Sequence, residues 1–359
     1  MNKKIWVIFC LISGMLLAAC VPKASVTETP TPALPAPSLL TVMTHDSFAV
    51  SEEVIKAFEQ ENNLKVEFLK SGDTGSALNR AILTKASPQA DVFYGVDNTF
   101  LSRALEADIF IPYDSPALQD IPDEFKLDKQ KRALPVDFGD VCLNYDKAYF
   151  VKANLAVPQS FEDLLKPEYK GLLVVQNPAT SSPGLAFMLA TVAKYGADGY
   201  LDFWRALRNN EVVVVNDWET AYYTNFSGSS GRGPQPIVVS YNSSPAAEVI
   251  FAPEPLEDAP TAAITSPGMC FRQIEFVGIL KGTTKQDLAK KFVDFMLSLP
   301  FQNDMPLQMF VYPVRNGANL PPEFVKYSAV PDQPASLDPE LISENRETWI
   351  MAWDEVVLR

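Results

Sequence analysis

From residue 39 onward, short apolar runs alternate with amphipathic stretches, and nearly every run stops at a group of polar or aromatic residues. Residues 39–44, 64–69 and 90–96 read as strands, and 51–62, 75–86 and 99–106 read as helices. The first helix carries Val54, Ile55 and Phe58 on one face, with Ser51 in the capping position. This βαβαβ order predicts a parallel, doubly wound sheet. A second α/β unit follows, with strands at 172–176, 211–215 and 237–240 and helices at 185–195 and 285–298. No internal repeat of 20–50 residues interrupts the pattern. Ligands of such sheets bind beyond the carboxyl ends of the strands. Those ends are His45-Asp46, residues 71–74, Asp97-Asn98, 177–184, 216–218 and 241–245.

The residues ahead of this pattern are of another kind. Lys3 and Lys4 precede an uncharged apolar run, 5–19, too short to span a bilayer as a helix. The run ends in Leu17-Ala18-Ala19-Cys20, which resembles the lipobox of bacterial lipoproteins. That resemblance implies removal of 1–19 and acylation of Cys20 with fatty acids such as palmitate, enough for stable anchoring. The alternative is an ordinary secretory leader that happens to contain Cys. Residues 21–38, rich in Pro, Thr, Ala and Ser, read as an extended tether.

Charge and composition narrow the function. The chain of 359 residues suffices for one large core or two smaller ones. It carries 30 basic and 44 acidic side chains, net −14. Loss of Lys3 and Lys4 with the leader leaves 28 against 44, net −16. Nucleic acid is therefore not expected as a partner. A single histidine, His45, excludes a multi-His metal site and leaves a His-based triad one candidate. No strand is followed by GxGxxG, and there is no GxxxxGK[ST]. The glycine-rich stretch 228–234 reads as a surface loop.

Each strand-end residue has two readings. Ser181-Ser182-Pro183-Gly184 either offers helix N-terminal amides to an acceptor group or simply caps a helix. Trp218 and Tyr241 either stack on a flat or cationic ligand or pack at the sheet edge. Tyr222 and Tyr223 are adjacent on a helical stretch, so one of them is expected to face a cleft. Asp46, Asp73 and Asp97 either balance a ligand cation or serve turns and caps. His45 is a pH-sensitive ligand contact or a hydrogen-bonded structural group. Cys142 and Cys270 lie in apolar, strand-like runs and form either a disulfide or two buried thiols.

Several segments taken together carry a resemblance. They are residues 44–48 (THDSF), Asp73 with 78–80, 90–92 with 95–98, 177–178 with 180–184, 218–222, 240–241 with 243–245, and 301–303 with 312–314. In order and spacing they resemble the thiamine-binding proteins of bacterial ABC importers, from about residue 39 to the Trp349–Trp353 tail. The resemblance implies a type II periplasmic-binding-protein fold, with two α/β lobes, two crossover hinge strands and a ligand cleft between the lobes. It implies a first lobe from 39–137 completed by 271–359, a second lobe of 138–270, and hinge segments 136–144 and 269–277. Position by position it implies thiamine contacts from Asp73 and Thr74 in the first lobe. Ser181, Ser182, Trp218, Tyr241, Asn242, Ser243, Ser244 and Pro245 should supply them in the second. The family's tyrosine ahead of Asp-Ser-Phe is His45 here, and its glycine after the cleft aspartate is Thr74.

The implied function is a monomeric, lipid-anchored extracytoplasmic receptor. It would capture thiamine, its phosphates or its pyrimidine precursors and pass them to a membrane permease driven by an ATPase, with no cofactor, metal or catalytic residue. Two rivals differ in chemistry. A ferric-ion receptor of the same fold would use Tyr222-Tyr223, and a thiaminase-like enzyme would use Cys142 as nucleophile.

Overall fold

A computed structural model describes residues 37–229 and 233–359. The leader, Cys20 and the tether through residue 36 lie outside the described residues, as do residues 230–232 of the glycine-rich loop. Among the described residues no helix is long and apolar enough to cross a membrane.

Eleven strands form one sheet. In chain order they are β1 (Ser38–Thr44), β2 (Leu64–Lys70), β3 (Val92–Asp97), β4 (Phe110–Ile111), β5 (Leu134–Asp146) and β6 (Leu173–Gln176). Then come β7 (Val213–Val215), β8 (Ile237–Tyr241), β9 (Thr261–Ile264), β10 (Phe271–Leu280) and β11 (Tyr312–Pro313). The path across the sheet is β2-β1-β3-β10-β5-β8-β6-β7. The outer triplets β2-β1-β3 and β8-β6-β7 are parallel, as the alternation predicts. The two long strands between them, β10 and β5, run antiparallel to each other and to their outer neighbours β3 and β8. Two parallel α/β blocks are thus joined through strands that share one hydrogen-bonded ladder.

The helices follow the amphipathic pattern. The helix Glu52–Asn62 ends at Asn63 in the left-handed conformation, which Asn tolerates better than most residues. The stretch 185–195 proves to be only the front of a longer element, Ser182–Asn209, broken at Gly196 (φ 74°). The part beyond that break was not legible as a helix, yet it buries Tyr200, Phe203, Trp204 and Leu207. Trp204 meets Trp353 of the last helix edge-on at 5.3 Å, tying the C-terminal tail to the second block.

Cys142, within β5, and Cys270, one residue before β10, are joined by a disulfide. The neighbouring residues Val141 and Phe271 are register partners, which brings the two sulfurs together although 128 residues separate them. Both sulfurs are fully buried.

Candidate functional site

The carboxyl ends of β1 and β2 face those of β6, β7 and β8 across a cavity of about 750 Å³. Its walls come from strand-end loops of both blocks, the helix Ser244–Ile250 with the residues after it, the middle of β10, and the segment before β11.

The aromatic wall belongs to the second block. After β7 the chain turns through Asp217, whose carboxylate accepts from the Thr220 amide and hydroxyl. It then enters a short π-helical turn, Thr220–Asn225, a rare geometry that recurs at functional sites. This turn stacks Tyr222 on Trp218 at 4.9 Å and 14°, and sets Tyr223 edge-on to Trp218 at 5.4 Å. Both tyrosines line the cavity, whereas the sequence suggested only one; the wide turn brings neighbours onto one side. Trp218 Nε1 donates to Ser240 Oγ at 2.9 Å, and Ser240 Oγ pairs with Ser244 Oγ at 2.8 Å. The Tyr222 hydroxyl donates to Glu248 Oε1 at 2.8 Å. Burial, with the adjacent Glu248 carboxylate, holds the Tyr222 hydroxyl well above its ordinary pKa, so this tyrosine stays neutral.

Tyr241 closes the wall at the end of β8. Its hydroxyl donates to Gln273 Oε1 of β10 at 3.3 Å. Its ring lies over Gly139 of β5, where an added Cβ would sit 2.9 Å from the ring. Gly139 is therefore the residue that lets this tyrosine lie flat against the strand.

The facing side belongs to the first block. Asp73 caps the helix Thr74–Leu83, accepting from the Thr74 amide at 3.3 Å. Its other carboxylate oxygen accepts from the Trp218 amide at 3.2 Å, so one side chain joins both blocks. Burial pushes Asp73 up to about 6, against the hydrogen bonds from the Trp218 and Thr74 amides that favour the charged form. Beside it the Gly75 amide donates to Thr180 O at 3.0 Å, and a Cβ on Gly75 would sit 2.7 Å from Ala179 O. Only glycine permits that approach. Thr74 Oγ1 donates to Gly95 O at 2.9 Å.

The floor is acidic and deep. Gln273 and Glu275 project from β10 into the cavity, with His45 beside them. His45 Nε2 has no hydrogen-bond partner and lies 3.6 Å from Glu275 Oε1. Burial, with the positive charge of Lys70, lowers His45 to about 4, so the imidazole is neutral at pH 7. Gly95 (φ +107°) makes room for it: a Cβ there would sit 2.5 Å from the ring. Behind Glu275, the Tyr94 hydroxyl stands 2.7 Å from Asp137 Oδ2 and 3.0 Å from Glu275 Oε2.

The remaining side is apolar. Met309, Phe310 and Phe251 line it, the two phenylalanines meeting edge-on at 4.9 Å. Phe310 adopts a left-handed backbone (φ 55°), rare for an aromatic residue, and its carbonyl accepts from the Ser243 hydroxyl.

Of the residues singled out from sequence, His45, Asp73, Thr74, Ser182, Trp218, Tyr222, Tyr241 and Ser244 line the cavity. Asp46, Ser181, Asn242, Ser243 and Pro245 do not. Asp46 is exposed and accepts from the Gly72 amide as turn chemistry. Asn242 donates to the Tyr312 hydroxyl and to Ala329 O, and Ser243 to Phe310 O. Ser181 is the buried residue preceding its helix, where its side chain makes no capping bond, and Pro245 opens another helix. Asp97 accepts from the Thr99 amide, the Thr99 hydroxyl and the Phe100 amide, the turn role rather than the ligand role. Gln273, Glu275, Glu248, Phe251 and Phe310 were missed. A signal existed for two of them: Gln273 and Glu275 are polar at i and i+2 within an apolar run, hence on one face of a buried strand.

Cys142 and Tyr222, the groups that the rival chemistries would use, are engaged within the protein. Cys142 is bound to Cys270 and fully buried, so it is not a thiolate nucleophile in this state. Tyr222 has its hydroxyl committed to Glu248 and its ring to Trp218. Among the described residues no group of three or more His, Cys, Asp or Glu side chains could hold a metal ion.

Comparison with known proteins bears on the same geometry. The thiamine-binding periplasmic protein of Escherichia coli (strain K12) is 31% identical over 349 residues, covering 96% of this chain and all of the relative. The solved structure of a periplasmic thiamin binding protein superposes with a TM-score of 0.79 at 28% identity, covering 91% of this chain and 98% of the other. A ferric binding protein from Campylobacter jejuni superposes with a TM-score of 0.71 at 21% identity, covering 88% and 99%, a likeness of fold alone. The chain has the type II periplasmic-binding-protein fold. Residues 87–333 match the model of the bacterial extracellular solute-binding proteins, and the chain belongs to that family.

Proposed function

We propose that this protein is a receptor that captures thiamine in the cavity between its two blocks and delivers it to an ABC permease. The observation that carries this reading is a stacked pair, Trp218 on Tyr222, in one cavity with the half-buried Asp73 and the buried Glu275. Thiamine has a permanent thiazolium cation and a flat aminopyrimidine. Aromatic faces attract such a cation by ~0.5–2 kcal/mol per contact when partly desolvated. His45, Thr74, Ser182, Tyr241 and Ser244 supply polar contacts for the ring nitrogens and the hydroxyethyl end. The names of the aligned relatives support the same ligand.

The two lobes are residues 39–137 with 271–359, and 138–270. They close on the ligand by bending at β5 and β10, the strands that link the parallel blocks. The closed form docks on the permease, whose ATPase drives uptake. Cys20 carries the lipid that holds the monomeric receptor at the membrane surface, with 21–38 as its tether. No bond in the ligand is made or broken.

Calorimetry against thiamine, its mono- and diphosphate and the hydroxymethylpyrimidine tests the ligand. Saturable binding of thiamine is expected, and no heat with any of the four would sink the reading. Colour on addition of ferric ion would favour the iron receptor instead. Mass spectrometry of the N-terminal peptide tests the anchor: an acylated Cys20 is expected, and release of a Cys20→Ser variant from the membrane fraction.

A further inference from the structure

Glu275 and Asp137 are register partners on adjacent antiparallel strands, with side chains on the same face. Both are buried, and the Tyr94 hydroxyl of β3 lies between them, 2.7 Å from Asp137 and 3.0 Å from Glu275. A phenol carries one hydrogen, so it donates to one carboxylate only. The other contact is favourable only if that carboxyl group itself carries a proton and donates to the phenolic oxygen. Two ionised carboxylates at such a site also repel each other with little water to screen them. The geometry therefore calls for one proton on the pair.

The surroundings supply no positive charge to replace it. Burial pushes Asp137 up to about 7, and burial with the neighbouring Asp137 and Asp97 charges pushes Glu275 well above the ordinary carboxylate range. The groups facing Glu275 are Tyr94 and Asp97 from β3, Asp137 from β5, Tyr241 from β8 and His45 after β1. His45 is the candidate cation among them, but it stays neutral at pH 7, partly because Lys70 lies near it. Its Nε2, over nine-tenths buried and without a partner, borders the same cavity as Glu275.

We infer that Asp137 and Glu275 share a single proton in the ligand-free receptor, and that a cation entering the cleft displaces it to solvent. The carboxylic O–H bond breaks, the proton passes to the buffer, and Glu275 becomes the counter-charge of the bound cation. Glu275 is thus a specificity residue for positive charge, and capture is coupled to proton release. The ligand half of this inference rests on the thiamine reading above; the shared proton does not.

Infrared spectroscopy and calorimetry test the two halves separately. The ligand-free protein at pH 7 should show a carboxylic-acid carbonyl band that is lost in Asp137→Asn and in Glu275→Gln; its absence from the native protein overturns the inference. Saturation with thiamine should abolish the band. Titration at pH 7 in two buffers of different ionisation enthalpy should show release of up to one proton per thiamine. Between pH 6 and 7 the affinity should rise by up to tenfold per pH unit, and more steeply from pH 5 to 6. Asp73, pushed up to about 6, contributes to the lower part of that rise. An Asp73→Asn variant should therefore keep the proton release at pH 7, and Glu275→Gln should lose it while binding at least tenfold more weakly. A band that persists on saturation, or buffer-independent heats in the native protein, overturns the coupling. Should Glu275→Gln not fold, the native-protein measurements still decide. A protein that shows the band but takes no thiamine overturns the ligand reading and upholds the shared proton.

Discussion

The two sides of the cleft are built on opposite principles. On the aromatic side each polar tip has a partner inside the protein: Trp218 with Ser240, Tyr222 with Glu248, Tyr241 with Gln273. The rings also stack on one another, so that surface is set before any ligand arrives. On the floor, His45 Nε2 is buried without a partner, and behind it a single phenol serves two carboxyl groups. A buried polar atom left unpaired costs about 1–3 kcal/mol, which a complementary ligand can recover. In the thiamine reading proposed above, the satisfied side would select for shape and the unsatisfied side for charge.

Both sides hang from β5 and β10, so the strongest way to break the comparison is to cut the bond between those strands. Removing the disulfide by Cys142→Ala with Cys270→Ala should lower stability by ~4–5 kcal/mol in the chain-entropy view, because it closes a loop of 128 residues. Urea unfolding of native and double-variant protein measures this, and an unchanged midpoint would show that the strand ladder alone holds the two halves together.

The floor should respond to pH through two groups of opposite sign. His45 falls from an ordinary value of 6.5 to about 4 on folding, so the unfolded chain binds its proton first. That group costs stability as pH falls from 6.5 towards 4, on the order of 3 kcal/mol in the limit. Asp137 acts with the opposite sign. Its folded value of about 7 exceeds the unfolded 3.8, so its contribution is fully present below 3.8 and is lost as pH rises through 7. In His45→Gln the opposing slope is gone, and urea midpoints should climb on acidification from pH 7 to 4 where the native protein stays flatter. An unchanged profile would place the His45 proton elsewhere.

The aromatic side should respond to ring loss instead. Trp218→Ala should weaken thiamine binding by ~1–3 kcal/mol, read by calorimetry, because the stacked face is gone. An unchanged dissociation constant would remove Trp218 from the binding surface. The smallest effect sharpens the point: Trp218→Phe keeps a ring against Tyr222 but loses the bond to Ser240. It should reduce stability by ~0.5–1.5 kcal/mol with a smaller loss of affinity than Trp218→Ala.

How much of this was legible depended on sequence distance. The rule that ligands sit beyond strand ends picked out His45, Asp73, Thr74, Ser182, Trp218, Tyr241 and Ser244, each a few residues from a strand, and all of them line the cavity. The same rule also drew in Asp46, Asn242 and Ser243, because turn residues and ligand residues share a composition at strand ends. It missed Glu275, which lies in the middle of a strand, and Phe310, whose left-handed backbone is held by Ser243 far away in the chain.

The order of apolar and polar residues determined by itself that two α/β blocks form, where their strands end, and which aromatic and acidic side chains stand there. Those are local matters of periodicity, capping and turn chemistry. Only the tertiary structure decided that Glu275 lies opposite Asp137, that one phenol stands between them, and that Asp73 reaches the Trp218 amide. Such contacts depend on the register between strands far apart in the chain, and a shift of one residue would turn each of those side chains to the other face of the sheet.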